Sequence, residues 1–222
     1  MNFSVPFLQS SIGKKQTVAA TGLVLILFVI GHLAGNLFIY FGPEAYNHYA
    51  KKLAGLRPGL YLVEFFLLII FAIHLFVTAL LVLENIKARP IRYLSYTPSP
   101  ERSLAAKLMP YTGTIILAFI IWHLLDFTFA DQHGPRSILS DGQSYGLYGV
   151  VYNSFLNPAH SALYILAMMC VGFHLAHGVQ SFFQTFGFNH PVYFPWIKRI
   201  SNAFGVLIAL GYSLIPIYVL FR

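Results

Sequence analysis

The sequence predicts an all-α membrane protein that crosses the bilayer five times. Of its 222 residues, 57% are hydrophobic and 9% are charged, whereas a soluble domain carries about 25% charged residues. Five apolar stretches are long enough to cross a hydrocarbon core of about 30 Å, for which a helix needs about 20 residues. Aromatic residues reach 17%, and tyrosine is enriched at membrane–water interfaces.

The five apolar stretches define the expected spans, and none has a lysine or arginine in its interior. The first begins after Lys14 and Lys15 and is too long for the apolar part of a signal peptide, so we expect it to be retained. We interpret the chain as one transmembrane domain over residues 1–222. The predicted spans are residues 16–41, 59–83, 108–130, 158–183 and 201–221.

Basic residues in the connections predict the orientation, because loops rich in lysine and arginine stay in the cytoplasm. We therefore expect a cytoplasmic amino terminus in a multi-pass protein of the cell inner (cytoplasmic) membrane. The basic residues on that side are Lys14, Lys15, Lys87, Arg89, Arg92, Arg102, Lys107, Lys198 and Arg199. Pro90, Pro98 and Pro100 predict an irregular loop on the same side. The polar residues 131–157 are expected to cap the opposite end of the bundle.

Composition also excludes several classes of function. The net charge of +7 comes from residues in short loops without an aromatic-interleaved basic face, so we expect no nucleic-acid binding. The only cysteine, Cys170, lies within an apolar stretch. A disulfide, a thiolate zinc cluster or a cysteine-held iron–sulfur centre within this chain is therefore excluded.

Four histidines lie deep in the predicted spans, one in each of the first four. They are His32, His74, His123 and His174, each followed by leucine. One buried histidine could serve an interhelical hydrogen bond, but four at one per helix indicate a function. At 1.5 Å per residue, His32 and His123 lie roughly 14 and 10 Å from the outer ends, and the other two roughly 22–24 Å. We therefore expect two pairs at two depths.

Two stacked pairs of imidazoles are the axial ligands that two bis-histidine haems require, so the sequence predicts two haem b groups and electron transfer. Zinc would need three or four ligands converging on one point. A proton-relay transporter would add intramembrane carboxylates, for which Glu64 and Asp126 are the candidates. A transporter or structural anchor that uses its histidines without haem is the alternative. His177, three residues after His174, is a second candidate ligand on a neighbouring part of the same helix face.

Longer motifs surround the histidines. They are SIGKK (residues 11–15), TGL (21–23), GHLAGNL (31–37), WH (122–123), FHLAHG (173–178) and SFFQTFG (181–187). With these motifs the chain resembles, over nearly its whole length, the cytochrome b subunit of five-helix, di-haem, single-anchor succinate dehydrogenases and fumarate reductases, the b558 family.

The resemblance implies a role for each histidine pair. The pair His74 and His174 would bind the proximal haem iron, near a cytoplasmic iron–sulfur subunit, and the pair His32 and His123 would bind the distal haem iron. The family's fourth-helix ligand stands four residues before a glycine, which favours His174 over His177. Donors for the haem propionates are expected on the cytoplasmic side, at Ser11, Lys15, Gln180 and Ser181.

The resemblance also implies partners. These are a flavoprotein with FAD, where succinate and fumarate interconvert, and an iron–sulfur protein with three clusters. A higher-order oligomer of the complex is a further expectation. This chain would perform no dicarboxylate chemistry. It would be the quinone-reactive membrane subunit, passing electrons to or from a quinone, usually menaquinone, near the distal haem. The candidates for the quinone site are Asp126, Glu44, His48 and Asn36, and the direction of electron flow stays open.

One position departs from the family pattern. Some members have a glutamate two residues before the fourth-helix ligand, where it is linked to transmembrane proton movement. This chain has Gly172 at that position. The compensating proton route is therefore left open, with electrogenic electron transfer as the alternative.

Overall fold

The structure is a computed structural model, which describes residue 7, residues 10–88 and residues 104–222. Most of the described residues are helical, and these residues include a single isolated β-bridge between Ile138 and Ser144. The helices are α1 (Ser11–Asn36), α2 (Pro43–Ala54), α3 (Gly59–Lys87), α4 (Leu104–His123), α5 (Gly146–Phe155), α6 (Pro158–Thr185) and α7 (Phe194–Leu220). Within this part of the chain, five helices are long and apolar enough to cross a membrane, which confirms the predicted all-α, five-span fold.

The observed spans are Ser11–Phe41, Gly59–Lys87, Lys107–Thr128, Pro158–Thr185 and Phe194–Leu220. The first and last begin earlier than predicted. Ser10 caps α1 by accepting a hydrogen bond from the Gly13 amide at 2.9 Å, and a proline stands in the first turn of α7. The serine cap and the proline both favour a helix start in polar sequence. The helices therefore begin before the apolar residues on which the prediction depended.

Several sequence predictions concern one end of the bundle, where α1 begins and α3 ends. Lys14 and Glu84 form an ion pair there, so we call it the Lys14 end. The irregular loop predicted at Pro90, Pro98 and Pro100 lies outside the described residues, as do the basic residues Arg89, Arg92 and Arg102.

The opposite end is covered by α2 and α5, and we call it the capped end. Asn47 of α2 donates to the Tyr145 carbonyl at 2.7 Å and accepts from the Tyr148 amide at 3.1 Å. A cluster of buried apolar side chains joins this cap to the ends of the spans: Ile39, Tyr46, Tyr148, Val151, Phe155, Tyr164, Ile215 and Val219. The predicted cap, residues 131–157, therefore contains the short helix α5, and α2 joins it from the connection after the first span.

Helices α6 and α7 pack backbone to backbone. A Cβ atom on Gly172 would lie 2.8 Å from the Gly205 carbonyl oxygen and 2.8 Å from the Ala209 Cβ. A Cβ atom on Gly205 would lie 2.4 Å from the Gly172 carbonyl oxygen. Small residues at matching positions permit such an approach between membrane helices. Gly172, the position at which some b558 members have a glutamate, is therefore a helix–helix contact in this chain.

Candidate functional site

The first histidine pair lies near the capped end. His32 of α1 and His123 at the end of α4 have ring centroids 5.8 Å apart and planes at 88°. A metal–imidazole bond is about 2 Å long, so two imidazoles on opposite sides of one metal have centroids roughly 6 Å apart. Among the residues that the structure describes, His123 Nδ1 is buried and has no hydrogen-bond partner, which is unusual for a histidine with only a packing role. We call these two residues the outer pair.

The second pair, His74 of α3 and His174 of α6, lies nearer the Lys14 end, and we call it the inner pair. The Nδ1 atom of His74 is 3.1 Å from the Thr21 hydroxyl of α1. The Nδ1 atom of His174 is 3.2 Å from the Thr112 hydroxyl of α4. Each inner ring is thus held through Nδ1 from the neighbouring helix, which leaves Nε2 for another partner.

The two pairs occupy different levels of the bundle. Thr21 marks the level of His74 on α1, and His32 lies eleven residues further along the same helix. At 1.5 Å per residue, this places the pairs about 16 Å apart along the helix axis. The arrangement has the two levels that the sequence predicted.

The donor set fits axial ligation of haem iron. Within the described ranges, no group of three or more His, Cys, Asp or Glu side chains is arranged to hold a metal ion, and the rings of His32 and His123 are in direct contact. Two imidazoles complete the coordination of an iron whose other ligands come from a porphyrin. His177 also has a buried Nδ1 atom without a partner, so it stays a second candidate ligand beside His174.

A polar cluster lies beside the outer pair, where the α-helical pattern of α4 changes to a π-helical turn at Leu124–Thr128. Asp126 lies in this turn with its side chain only 9% exposed. Its carboxylate accepts hydrogen bonds from Arg136 at 2.8 Å and from the Tyr164 hydroxyl at 2.8 Å. His160 Nε2 is 3.0 Å from the same carboxylate, without hydrogen-bond alignment. We call Asp126, Arg136, His160 and Tyr164 the Asp126 cluster; π-helical turns are frequent at functional sites.

Comparison with known proteins gives one relative. The chain is 27% identical over 195 residues to the succinate dehydrogenase cytochrome b558 subunit of Bacillus subtilis (strain 168), and the match covers 88% of this chain and 88% of that protein. This match supports the assignment of the chain to the cytochrome b558 family. The resemblance indicated by the sequence motifs is thereby confirmed. No family model matches the chain, and no solved structure matches it significantly.

The other predicted quinone-site residues differ in burial. Asn36 is half-buried, donates to the His32 carbonyl at 2.8 Å and accepts from the Tyr46 hydroxyl at 3.3 Å. Burial raises the pKa of Tyr46 to about 12, so this phenol stays protonated at neutral pH. Glu44 and His48 are exposed on α2, one helical turn apart. Asp126 and Asn36 are thus the candidates that the structure links to the outer pair.

The predicted propionate donors lie at the Lys14 end. Ser11 and Lys15 are exposed in the first turns of α1, whereas Gln180 is buried and Ser181 is half-buried in α6. Lys14 is engaged by Glu84.

Sequence reasoning missed Thr21 and Thr112 as partners of the inner pair, and it missed Arg136 and Tyr164 as partners of Asp126. The threonines carry one signal that could have been noticed: each precedes a glycine and stands eleven residues before an outer histidine. Arg136 and Tyr164 carry no comparable signal.

Proposed function

We propose that this chain is the di-haem cytochrome b membrane anchor of a succinate:quinone oxidoreductase, the succinate dehydrogenase or fumarate reductase type of complex. Its role is to pass electrons between an iron–sulfur subunit and a quinone. The observation that carries the proposal is the placing of four span histidines at two levels, with the rings of His32 and His123 in contact at one of them and His74 and His174 each bound to a threonine at the other. The match to a succinate dehydrogenase cytochrome b558 subunit supports the same role.

The four histidines are proposed as axial ligands, with one haem b at each pair. Haem supplies a one-electron iron couple, and two axial imidazoles favour electron transfer over oxygen binding. His74 and His174 hold the proximal group, and His32 and His123 the distal group. The Thr112 bond to His174 Nδ1 supports His174 rather than His177 as the ligand, because it orients the His174 ring.

The Lys14 end is proposed to face the cytoplasm and to dock the iron–sulfur and flavoprotein subunits. Basic residues concentrate there, with Lys14 and Lys15 in the first turns of α1 and Lys198 and Arg199 in the first turns of α7. Such a bias sets orientation in the inner membrane. FAD, the iron–sulfur clusters and the succinate–fumarate interconversion then belong to those partner subunits.

The quinone site is proposed at the capped end, beside the Asp126 cluster, with menaquinone as its substrate. Reducing a quinone requires protons as well as electrons, and oxidising the quinol releases them. Asp126, His160 and Tyr164 supply a carboxylate, an imidazole and a phenol in mutual contact next to His123. Arg136, whose side chain is 45% exposed, joins this buried cluster to the surface. The same residues serve succinate oxidation and fumarate reduction.

A haem measurement on the purified complex tests the first part of the proposal. We expect two haem b per chain, and we expect His32→Ala or His123→Ala to remove one haem signal while His74→Ala removes the other. His133→Ala is the control, because His133 is exposed at the capped end. A complex without haem would support a non-redox anchor or transporter instead. Loss of both haems in every variant would contradict the pairing.

Quinone kinetics test the second part. We expect Asp126→Asn to lower menaquinone-dependent turnover at least tenfold, while electron transfer from succinate to a water-soluble dye continues. Asp141→Asn is the matched control: Asp141 is an exposed aspartate of the same capped end, and its pKa is lowered mainly by the Tyr145 hydroxyl. Equal quinone kinetics in the two variants would place the quinone elsewhere, with Glu44 and His48 as the next candidates.

A further inference from the structure

Helices α1 and α4 carry the same pattern at the same spacing: threonine, glycine, nine residues and histidine. On α1 these residues are Thr21, Gly22 and His32, and on α4 they are Thr112, Gly113 and His123. In each case the histidine belongs to the outer pair and the threonine contacts a histidine of the inner pair. The chain thus contains two half-bundles, α1 with α3 and α4 with α6, that repeat one arrangement.

On the basis of the haem-binding role proposed above, we propose that Thr21 and Thr112 are positioning residues. Each hydroxyl accepts the Nδ1 proton of one inner histidine and thereby presents that histidine's Nε2 lone pair to the proximal haem iron. The pair of threonines also sets how strongly the two imidazoles donate to that iron.

The direction of both hydrogen bonds follows from the hydroxyl's single proton. Thr21 Oγ1 lies 2.7 Å from the Thr17 carbonyl oxygen, and Thr112 Oγ1 lies 3.1 Å from the Leu108 carbonyl oxygen. A carbonyl only accepts, so each threonine proton goes to its own helix backbone. The oxygen lone pairs then face Nδ1 of His74 at 3.1 Å and Nδ1 of His174 at 3.2 Å. Nδ1 therefore carries the proton in both rings, and Nε2 keeps a free electron pair with which it can bind a metal.

The glycine after each threonine lets the ring approach the neighbouring helix. A Cβ atom on Gly22 would lie 3.3 Å from His74 Cε1, and a Cβ atom on Gly113 would lie 3.6 Å from His174 Cε1. The first distance is tighter than ordinary contact, and the second is ordinary contact. Any side chain larger than a methyl group would displace the imidazole from its threonine. Threonine and glycine therefore act together: the threonine hydroxyl accepts the hydrogen bond, and the glycine leaves space for the imidazole ring.

The outer pair is held differently. His123 Nδ1 is buried and has no hydrogen-bond partner in the described ranges, although His123 lies on the same helix as Thr112. A hydrogen bond from Nδ1–H fixes the tautomer and raises the basicity of a ligating imidazole. The threonines therefore tune only the inner level, so their effect can be separated from a general effect on the fold.

The test uses the intact complex and three matched sets of variants. Thr21→Val and Thr112→Val remove the acceptor with little change of shape, and Thr21→Ser and Thr112→Ser keep it. Thr17→Val and Thr114→Val are controls, because within the described part of the chain these hydroxyls bond their own helix carbonyls, those of Gly13 and Pro110, at 2.9 Å, and no histidine. The measurements are haem content, the midpoint potential and electron paramagnetic resonance g-values of each haem, and the rate of haem loss to an apoprotein acceptor.

For the valine variants we expect the proximal haem affinity to fall 10- to 100-fold, the range for loss of a ligand's hydrogen-bond partner. A basic imidazole stabilises ferric iron more than ferrous iron, so the midpoint potential of the proximal haem should rise. The rise is about 59 mV for each tenfold loss of haem affinity that is confined to the ferric state. The distal haem should keep its potential and g-values. The serine variants and both controls should match the wild type.

Three results would overturn the positioning role. In the first, the wild type binds two haems, and both valine variants keep the wild-type midpoint potential, g-values and rate of haem loss for the proximal haem. Another is equal disturbance of both haems, which indicates a general packing role. The third is equal behaviour of the serine and valine variants. A wild-type complex without haem would instead contradict the proposed function itself.

Discussion

Replacing Gly172 with alanine is expected to destabilise the protein, because α6 and α7 touch at this residue. The new Cβ atom would lie 2.8 Å from the Gly205 carbonyl oxygen and 2.8 Å from the Ala209 Cβ, where ordinary contact begins at 3.4 Å. Overpacking of this kind destabilises a protein by about 1–3 kcal/mol. Within a helix, alanine is more stabilising than glycine by about 0.5–1 kcal/mol, which offsets part of that loss. We therefore expect a net loss of roughly 0–2.5 kcal/mol.

Two further alanine variants allow the loss of stability to be compared between positions. Gly205→Ala should cost more than Gly172→Ala, because its Cβ atom would lie 2.4 Å from the Gly172 carbonyl oxygen. Gly211→Ala is the matched control on α7. Its Cβ atom would lie 2.8 Å from Leu33 Cδ2, the end of a flexible side chain that can rotate away. Backbone carbonyls cannot retreat in this way without moving a helix.

The assay is thermal unfolding of the full chain in detergent, followed with a dye that reacts with the single Cys170 thiol as α6 opens. A loss of 1 kcal/mol corresponds to about 2–4 °C for a chain of this size. The expected order of stability is Gly211→Ala, then Gly172→Ala, then Gly205→Ala. Equal unfolding temperatures for the three variants would refute the close α6–α7 contact.

The same contact explains why a glutamate is not accommodated at residue 172. A longer side chain would have to pass the Gly205 carbonyl, so we expect Gly172→Glu to accumulate poorly in the membrane. A Gly172→Glu variant as stable as the wild type would contradict this expectation.

Other predictions concern the cap and the Lys14 end. Burial holds the pKa of Tyr46 at about 12, above the ordinary value of about 10, so the unfolded chain loses this proton first as pH rises. Stability should fall between about pH 10 and 12, by roughly 3 kcal/mol in all, and Tyr46→Phe should remove that part of the decline in circular-dichroism melts. Asn47→Ala should cost about 1–3 kcal/mol, because it loses both bonds to the start of α5, and it should speed proteolysis near Tyr145. Lys14→Met should cost no more than about 1 kcal/mol in the same melts, because its partner Glu84 is 47% exposed.

The spans and the two histidine levels could be predicted because they depend on local quantities. Hydropathy over about 20 residues identifies a membrane helix, and the rise of 1.5 Å per residue converts position in a span into depth. The helix starts at Ser11 and Phe194 were missed, because capping by Ser10 and a proline in the first turn act in polar sequence.

The Asp126 cluster could not be predicted as a unit. Arg136 lies in the connection before α5, whereas His160 and Tyr164 lie on α6. Their meeting depends on how the connection between α4 and α5 folds over the bundle. Residue spacing along one helix gives no information about such a meeting.

The sequence by itself determined a five-span helical protein with one histidine in each of four spans, because composition and helical periodicity are local properties of the chain. Only the tertiary structure decided that Thr21 meets His74, that Thr112 meets His174 and that Gly172 lies against α7. These contacts join residues of different helices. They depend on the rotation of each helix about its axis, which is decided by side-chain packing between neighbours.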